Sequence, residues 1–218
     1  MIDYARLEKI QRDELDENAP RAFCVLEPIK VTIRNLTEKI EVTAPKFPKR
    51  IEEGDRKMTL SQTVYIDAQD FSENPPKGFK RLTKDQNVGL KYANVVLKLV
   101  EIKKDGDKII ELICDKVEGE NAKAYIQWVS DGAKEVEVRL YDVLFTEKDV
   151  MSYSGNWLDI LNKNSLKIMK GALVEPSIVG AKVLDSFQFE RLGFFVVDED
   201  TKDDHIVFNR TLTLRGAA

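Results

Sequence analysis

From Arg21 onward the chain is written in short runs in which apolar and polar residues alternate, each cut off by a tight-turn sequence. Alternation with a period of two marks a strand with one wet face and one buried face. In FCVLEPIKVTI, Ile29, Val31 and Ile33 alternate with Lys30, Thr32 and Arg34 beyond Pro28. Comparable runs are TLSQTVYID, VGLKYANVVLKLVEI, KIIELICDKV, KAYIQWV, EVEVRLYDVLF, FQFERLGFFVVD and HIVFNRTLTLRG. Between them stand KKDGDK, SDGAKE, NPPKG and DEDTKDD, rich in the residues that turns require. Many short strands punctuated in this way build sandwiches or barrels, not a parallel sheet with crossover helices. The expectation is an all-β protein, and the number of strands is large for one small barrel, so two barrels share the chain.

Helix is expected in two places. Leu7, Ile10 and Leu15 are spaced for one face of an N-terminal helix over residues 1–15, which ENAPR ends because a residue before proline is pushed out of helical geometry. A helical interlude is expected at SGNWLDILNKNSL, where Asn156 can cap and Trp157, Ile160 and Leu161 share a face. The proline- and charge-rich stretch from Pro45 to Asp55 reads as a long ordered loop.

Composition excludes several classes. Of 218 residues, 43% are hydrophobic and 33% charged, as in globular chains, and no apolar run is long enough to span a membrane. The first residues carry charges from Asp3 onward and no apolar segment, unlike a secretory signal. Cys24 and Cys114 are far apart within apolar runs and read as buried free thiols in a reducing compartment. With a single histidine, His205, no usual structural zinc site can be assembled. A net charge of −4 argues against coating DNA by bulk charge. The charge is nonetheless segregated: Lys77, Lys80, Arg81, Lys84 and Lys91 fall within 15 residues containing only Asp85, and APKFPKR adds Lys46, Lys49 and Arg50. One phosphate-facing side would need such segregation.

Catalytic patterns are absent or incomplete. RKMTLS, Arg56–Ser61, is similar to the phosphate-holding KMSKS loop of class I aminoacyl-tRNA synthetases, but Leu60 replaces its second lysine and no companion histidine motif exists. The segment continues into TVYID and reads as barrel structure. Neither GxGxxG nor GxxxxGK[ST] occurs, and carboxylate pairs such as Glu52 and Glu53 lie in polar loops. No catalytic residue is assigned. Binding chemistry fits better: in FKRL and FQFERLGFF, aromatic rings that can stack on bases sit beside Lys, Arg and Gln. Composition alone leaves open an RNA-binding domain and a β-domain with another partner.

ENAPRAFCVLEPIKV, VYIDAQDF, KGFKRL, IQWVS, VEVRLYDVLF, LVEPSI, FQFERLGFF and VFNRTLTLR, in this order, resemble the C-terminal half of glutaminyl-tRNA synthetases. The likeness covers nearly the whole chain, and cytosolic eukaryotic glutamyl-tRNA synthetases have a similar region. It implies two antiparallel β-barrels grasping the tRNA(Gln) anticodon loop. A helical connector would occupy 1–20, a proximal barrel 21–79 plus 184–218, and a distal barrel 80–183. The parent enzyme that the resemblance implies is a cytoplasmic, ATP-dependent glutamine–tRNA ligase. Its ATP and magnesium belong to a catalytic domain outside this chain, which is expected to hold no cofactor and to be inactive alone. No membrane or DNA partner is expected. The alternatives are the anticodon-binding region of a eukaryotic-type glutamyl-tRNA synthetase and a free-standing barrel protein binding rRNA or a protein partner.

The resemblance also assigns residues. Gln188 and Arg191, with Arg21, match side chains that hold the central anticodon uridine, and Lys80 and Arg81 match a pair reaching the third base. Gln188 and Arg191 sit on opposite faces of an ideal strand, so both reach one base only if the strand ends or bulges near Glu190. Gly89 and Lys91 stand where bacterial relatives carry two arginines beside the first base, and Lys49 stands where an asparagine contact is expected. Glu190 is expected to orient Arg191 and not to meet RNA, since a carboxylate facing phosphates is repelled.

Overall fold

The computed structural model describes residues 4–119, 121–147 and 149–215. A single α-helix, α1 (Tyr4–Asn18), stops two residues before Pro20, as expected; residues 1–3 of that expectation lie outside the described residues. Then come β1 (Arg21–Ala22), β2 (Cys24–Val25), β3 (Pro28–Ile33), β4 (Ile40–Pro45), β5 (Asp55–Leu60) and β6 (Thr63–Asp67). β7 (Val88–Leu90), β8 (Val95–Asp105), β9 (Lys108–Val117) and β10 (Tyr125–Ile126) follow. The remaining strands are β11 (Lys134–Tyr141), β12 (Leu166–Val174), β13 (Ser186–Phe189), β14 (Gly193–Val197) and β15 (Ile206–Leu212).

These strands form two nearly closed barrel-like sheets. The first has the order β10-β7-β8-β9-β3-β6, and Tyr65 of β6 exchanges backbone hydrogen bonds with Val129, just past β10, to curl the sheet back on itself. The separate β4–β5 hairpin places Val42, Ala44, Met58 and Leu60 in the core of this barrel. The second sheet has the order β1-β13-β14-β15-β11-β12-β2. Its two edge strands are consecutive in the chain with only Phe23 between them, so residues 21–25 close the ring.

That closing segment is also the wall the barrels share. Ala22 and Cys24 pack into the second core, while Phe23 and Val25 pack into the first. Both faces of the segment are buried because each faces a different core, and period-two alternation sorts the side chains between them. Cys24 and Cys114 are buried free thiols, and burial pushes both up, Cys114 to about 12.

The strand pairing divides the chain differently from the expected boundaries at 79/80 and 183/184. β7 to β10 join the sheet of β3 and β6, whereas β11 and β12 join β13 to β15, so the changeover lies between Val129 and Lys134. The reason is that β9 runs parallel to β3, with Lys30 opposite Glu111, a contact no local pattern announces. Parallel pairs also join β1 to β13, β7 to β10 and β11 to β15 among otherwise antiparallel neighbours. Two strands went unforeseen. β4 precedes the segment read as a loop, and β12 runs into the LVEPSI motif without clear alternation. The helical interlude is a four-residue 3₁₀ turn, Trp157–Ile160, whose Leu158 N–H is met by the Asn156 side chain, the cap that was expected. Trp157 and Leu158 are exposed there and only Ile160 is buried, which is too little apolar burial to hold a longer helix. RKMTLS lies on β5, in keeping with its reading as barrel structure.

A candidate RNA interface at a hairpin tip

β13 ends at Phe189, and a three-residue turn, Glu190-Arg191-Leu192, leads to Gly193 at the start of β14. The strand therefore ends where it must if Gln188 and Arg191 are to escape the alternation of an ideal strand. Arg191 has φ +67°, a left-handed conformation that costs a non-glycine residue about 1 kcal/mol. Gly193 has φ +145°, and a Cβ there would lie 2.5 Å from the backbone oxygen of Leu212. Only glycine fits this close approach of β14 to β15.

Around this tip three carboxylates gather the cations. Asp16 of α1 accepts from Arg21 Nη2 at 2.7 Å and from Lys49 Nζ at 2.6 Å. The hydrogen bond from Lys49, reinforced by Arg21, holds the Asp16 carboxyl below the usual carboxylate range. Glu190, almost fully buried, accepts from Arg56 Nη2 at 2.5 Å, from Lys91 Nζ, and from the Tyr92 hydroxyl at 3.2 Å. Asp70, wholly buried, accepts two hydrogen bonds from Arg191, at 2.6 and 2.8 Å, and lies 3.1 Å from Arg81 Nε. Lys49, Arg81, Lys91 and Arg191 are thereby held at fixed places on the surface of the tip, and Arg21 and Arg56 beneath it.

Behind the tip, Arg56 of β5 spans the barrels. Its guanidinium lies over the rings of Phe23 at 4.9 Å and Tyr92 at 5.6 Å, and Glu175 Oε1 is 3.6 Å from its Nε. The ring faces offer negative potential to the Nη1 group, which has no hydrogen-bond acceptor among the described residues. Burial pushes the Glu175 carboxyl up, against the pull of Arg56 and of the Phe23 N–H it accepts at 2.7 Å. Burial likewise raises the Tyr92 hydroxyl, and the Glu190 charge adds to it.

The β1–β13 pair carries two further unmet polar atoms. Arg21 of β1 is the register partner of Gln188 of β13, and both side chains are largely buried. Arg21 Nη1 and Gln188 Oε1 are each buried with no hydrogen-bond partner among the described residues. An unmet buried donor or acceptor costs about 1–3 kcal/mol, so a neighbouring pair of them calls for an external partner.

The structure thus brings Arg21, Lys49, Arg81, Lys91, Gln188, Glu190 and Arg191 around one turn, while Lys80 is exposed, beside Arg81 in the chain. Glu190 does not orient Arg191. The left-handed backbone turns the two neighbours apart, and Asp70 holds Arg191 instead. At Gly89 the Tyr125 ring lies where a side chain would start, 2.4 Å from an ideal Cβ, so an arginine here would first have to displace it. Sequence reasoning missed Asp16, Asp70, Tyr92, Glu175 and the part Arg56 plays. One signal was available: in YIDAQDF, carboxylates sit among apolar residues, where a buried charge demands a cation.

Among the described residues no group of three or more His, Cys, Asp or Glu side chains is placed to hold a metal ion, and no helix is long and apolar enough to cross a membrane. The family model described as "tRNA synthetases class I (E and Q), anti-codon binding domain" matches residues 19–117, and a second with the same description matches 125–198. The chain is 42% identical, over 98% of its length, to a probable glutamine–tRNA ligase of Drosophila melanogaster. It is 40% identical over 96% to the glutamine–tRNA ligase of Bos taurus and 42% over 99% to that of Pseudomonas putida. It spans 28% of the length of the first two and 40% of the third.

Proposed function

Because this chain belongs to the anticodon-binding family of the class I (E and Q) tRNA synthetases, we propose that it reads the anticodon loop of the tRNA charged by a glutamine–tRNA ligase. The observation that carries the reading is the open pair at Arg21 and Gln188. A uracil edge presents one N–H donor flanked by carbonyl acceptors. Gln188 Oε1 can accept from that N–H while Arg21 Nη1 donates to a carbonyl, so one flipped base meets both unmet groups. Lys80, Arg81 and Lys49 stand around it to meet phosphates or neighbouring bases, and such contacts position the strand without specifying it. The chain's contribution is to bind and orient RNA, in the cytoplasm, next to the catalytic part of the ligase. In this reading ATP and magnesium are handled by that catalytic part.

Titration with tRNA carrying a CUG or UUG anticodon, against one with its central uridine replaced, at two salt concentrations, tests this. A preference for the central uridine that survives added salt is expected, and it should vanish in Gln188→Ala. Equal binding that fades with salt would reduce the site to phosphate attraction, because counterion release makes such binding steeply salt-dependent.

A further inference from the structure

Asp70 is the one carboxylate at the tip that two arginines share. Arg191 grips both of its oxygens, and Arg81 Nε approaches Oδ1, the same oxygen that Arg191 Nη2 uses. Arg191, bonded to both oxygens, already balances the charge of the buried carboxylate. Here the second arginine leaves an excess positive charge, and both side chains keep part of their surface exposed, 27% for Arg191 and 36% for Arg81. The anchor itself is rigid. Asp70 ends the short turn Ala68–Asp70, its carbonyl accepts from Leu82 N–H at 3.0 Å, and Ser72 N–H returns to the Leu82 carbonyl at 3.1 Å. Arg81 is therefore built onto the Asp70 segment by backbone pairing, and its Nη1 is further held by the Gln69 carbonyl at 2.9 Å. Arg191 arrives from the other barrel on a strained left-handed backbone, which persists only where its surroundings over-determine it.

We propose that Asp70 is a positioning residue that joins Arg81 and Arg191 into one two-pronged receptor for adjacent groups of the bound RNA. This rests on the anticodon-reading function above and extends it to a coupling between two contacts. When RNA draws one guanidinium away, the shared carboxylate tightens on the other, so the two arginines do not contribute independently. Removing either arginine alters what the second can offer. A neutral side chain at position 70 uncouples them.

The test is a double-mutant cycle, Arg81→Gln and Arg191→Gln, run in the protein as it is and again with Asp70→Asn, reading the Kd for an anticodon stem-loop RNA. In the Asp70 protein the two losses should fail to multiply by at least about twofold. With Asp70→Asn they should multiply within error, while thermal unfolding confirms that the variant is folded. Losses that simply multiply in the Asp70 protein would overturn the proposal, and that arm decides even if Asp70→Asn does not fold. Coupling that persists unchanged in a folded Asp70→Asn would overturn it as well. Sequence preference is read separately, by comparing this stem-loop with one of scrambled loop sequence. Equal affinity for both would sink the anticodon reading, while the cycle would still decide the role of Asp70 on the RNA affinity that remains.

Discussion

Arg56 of the first barrel and Glu190 of the second meet at 2.5 Å across 134 residues of sequence. This contact fixes the hairpin tip against the barrel that carries Asp70, Arg81 and Lys91. Both partners are almost entirely removed from water, so losing either one leaves buried charge poorly compensated.

Arg56→Met should therefore destabilise the chain by about 3 kcal/mol, because Glu175 would be left buried without a cation and Glu190 with Lys91 alone. Adding Glu190→Gln to Arg56→Met should recover part of the loss. Urea unfolding measures both variants, and a loss well below about 1 kcal/mol for the single change would show that the barrels do not depend on this pair.

Gly193→Ala tests the geometry of the tip with the smallest possible change. The methyl would meet the Leu212 carbonyl at 2.5 Å in a conformation that alanine avoids. We expect a loss of about 2 kcal/mol in stability and weaker RNA binding, since Gln188 and Arg191 sit on the distorted turn. A variant as stable as the parent would mean that β14 can shift away from β15 without cost.

Lys80 and Arg81 should separate cleanly. Lys80 is exposed and its loss should leave stability unchanged while lowering the salt dependence of RNA binding by about one unit of slope. Arg81→Ala should cost stability as well, because it removes one of the two cations on buried Asp70. Salt titrations of binding beside thermal melts distinguish the two, and a stability loss at Lys80 would contradict the assignment.

The acid limb of the stability curve should depend on Glu111. Hydrogen bonds from Thr32, Lys30 and Lys103 hold its carboxyl at about 2, below the ordinary 4.5. A carboxyl depressed in the folded state lends stability that is fully present above its unfolded value and is lost as pH falls. The window runs from about 4.5 down to about 2, and Glu111→Gln should flatten the curve there and nowhere else. A parent and variant with parallel acid limbs would refute this.

Much of the chain was legible because its physics is local. Period-two alternation and Asp-Gly or Pro-rich turns act within a few residues, so most strands, the end of α1 before Pro20 and the Asn156 cap appear where the residues place them. The end of β13 near Glu190 was legible for the same reason, from Gly193. β4 and β12 were not, because β4 abuts a proline-rich stretch and β12 is bent by a bulge opposite Val136–Val138.

Which strands became neighbours, and which carboxylate took which cation, was settled only in three dimensions. The sequence by itself determined an all-β chain, its buried thiols and a set of Gln, Arg and Lys side chains fit for RNA. Tertiary structure decided that β9 lies against β3, that Glu190 serves Arg56 and Lys91, and that Arg191 turns to Asp70. A strand repeats its signal at every second residue, but a buried charge is one residue long. Its partner is whichever opposite charge the completed fold carries to it.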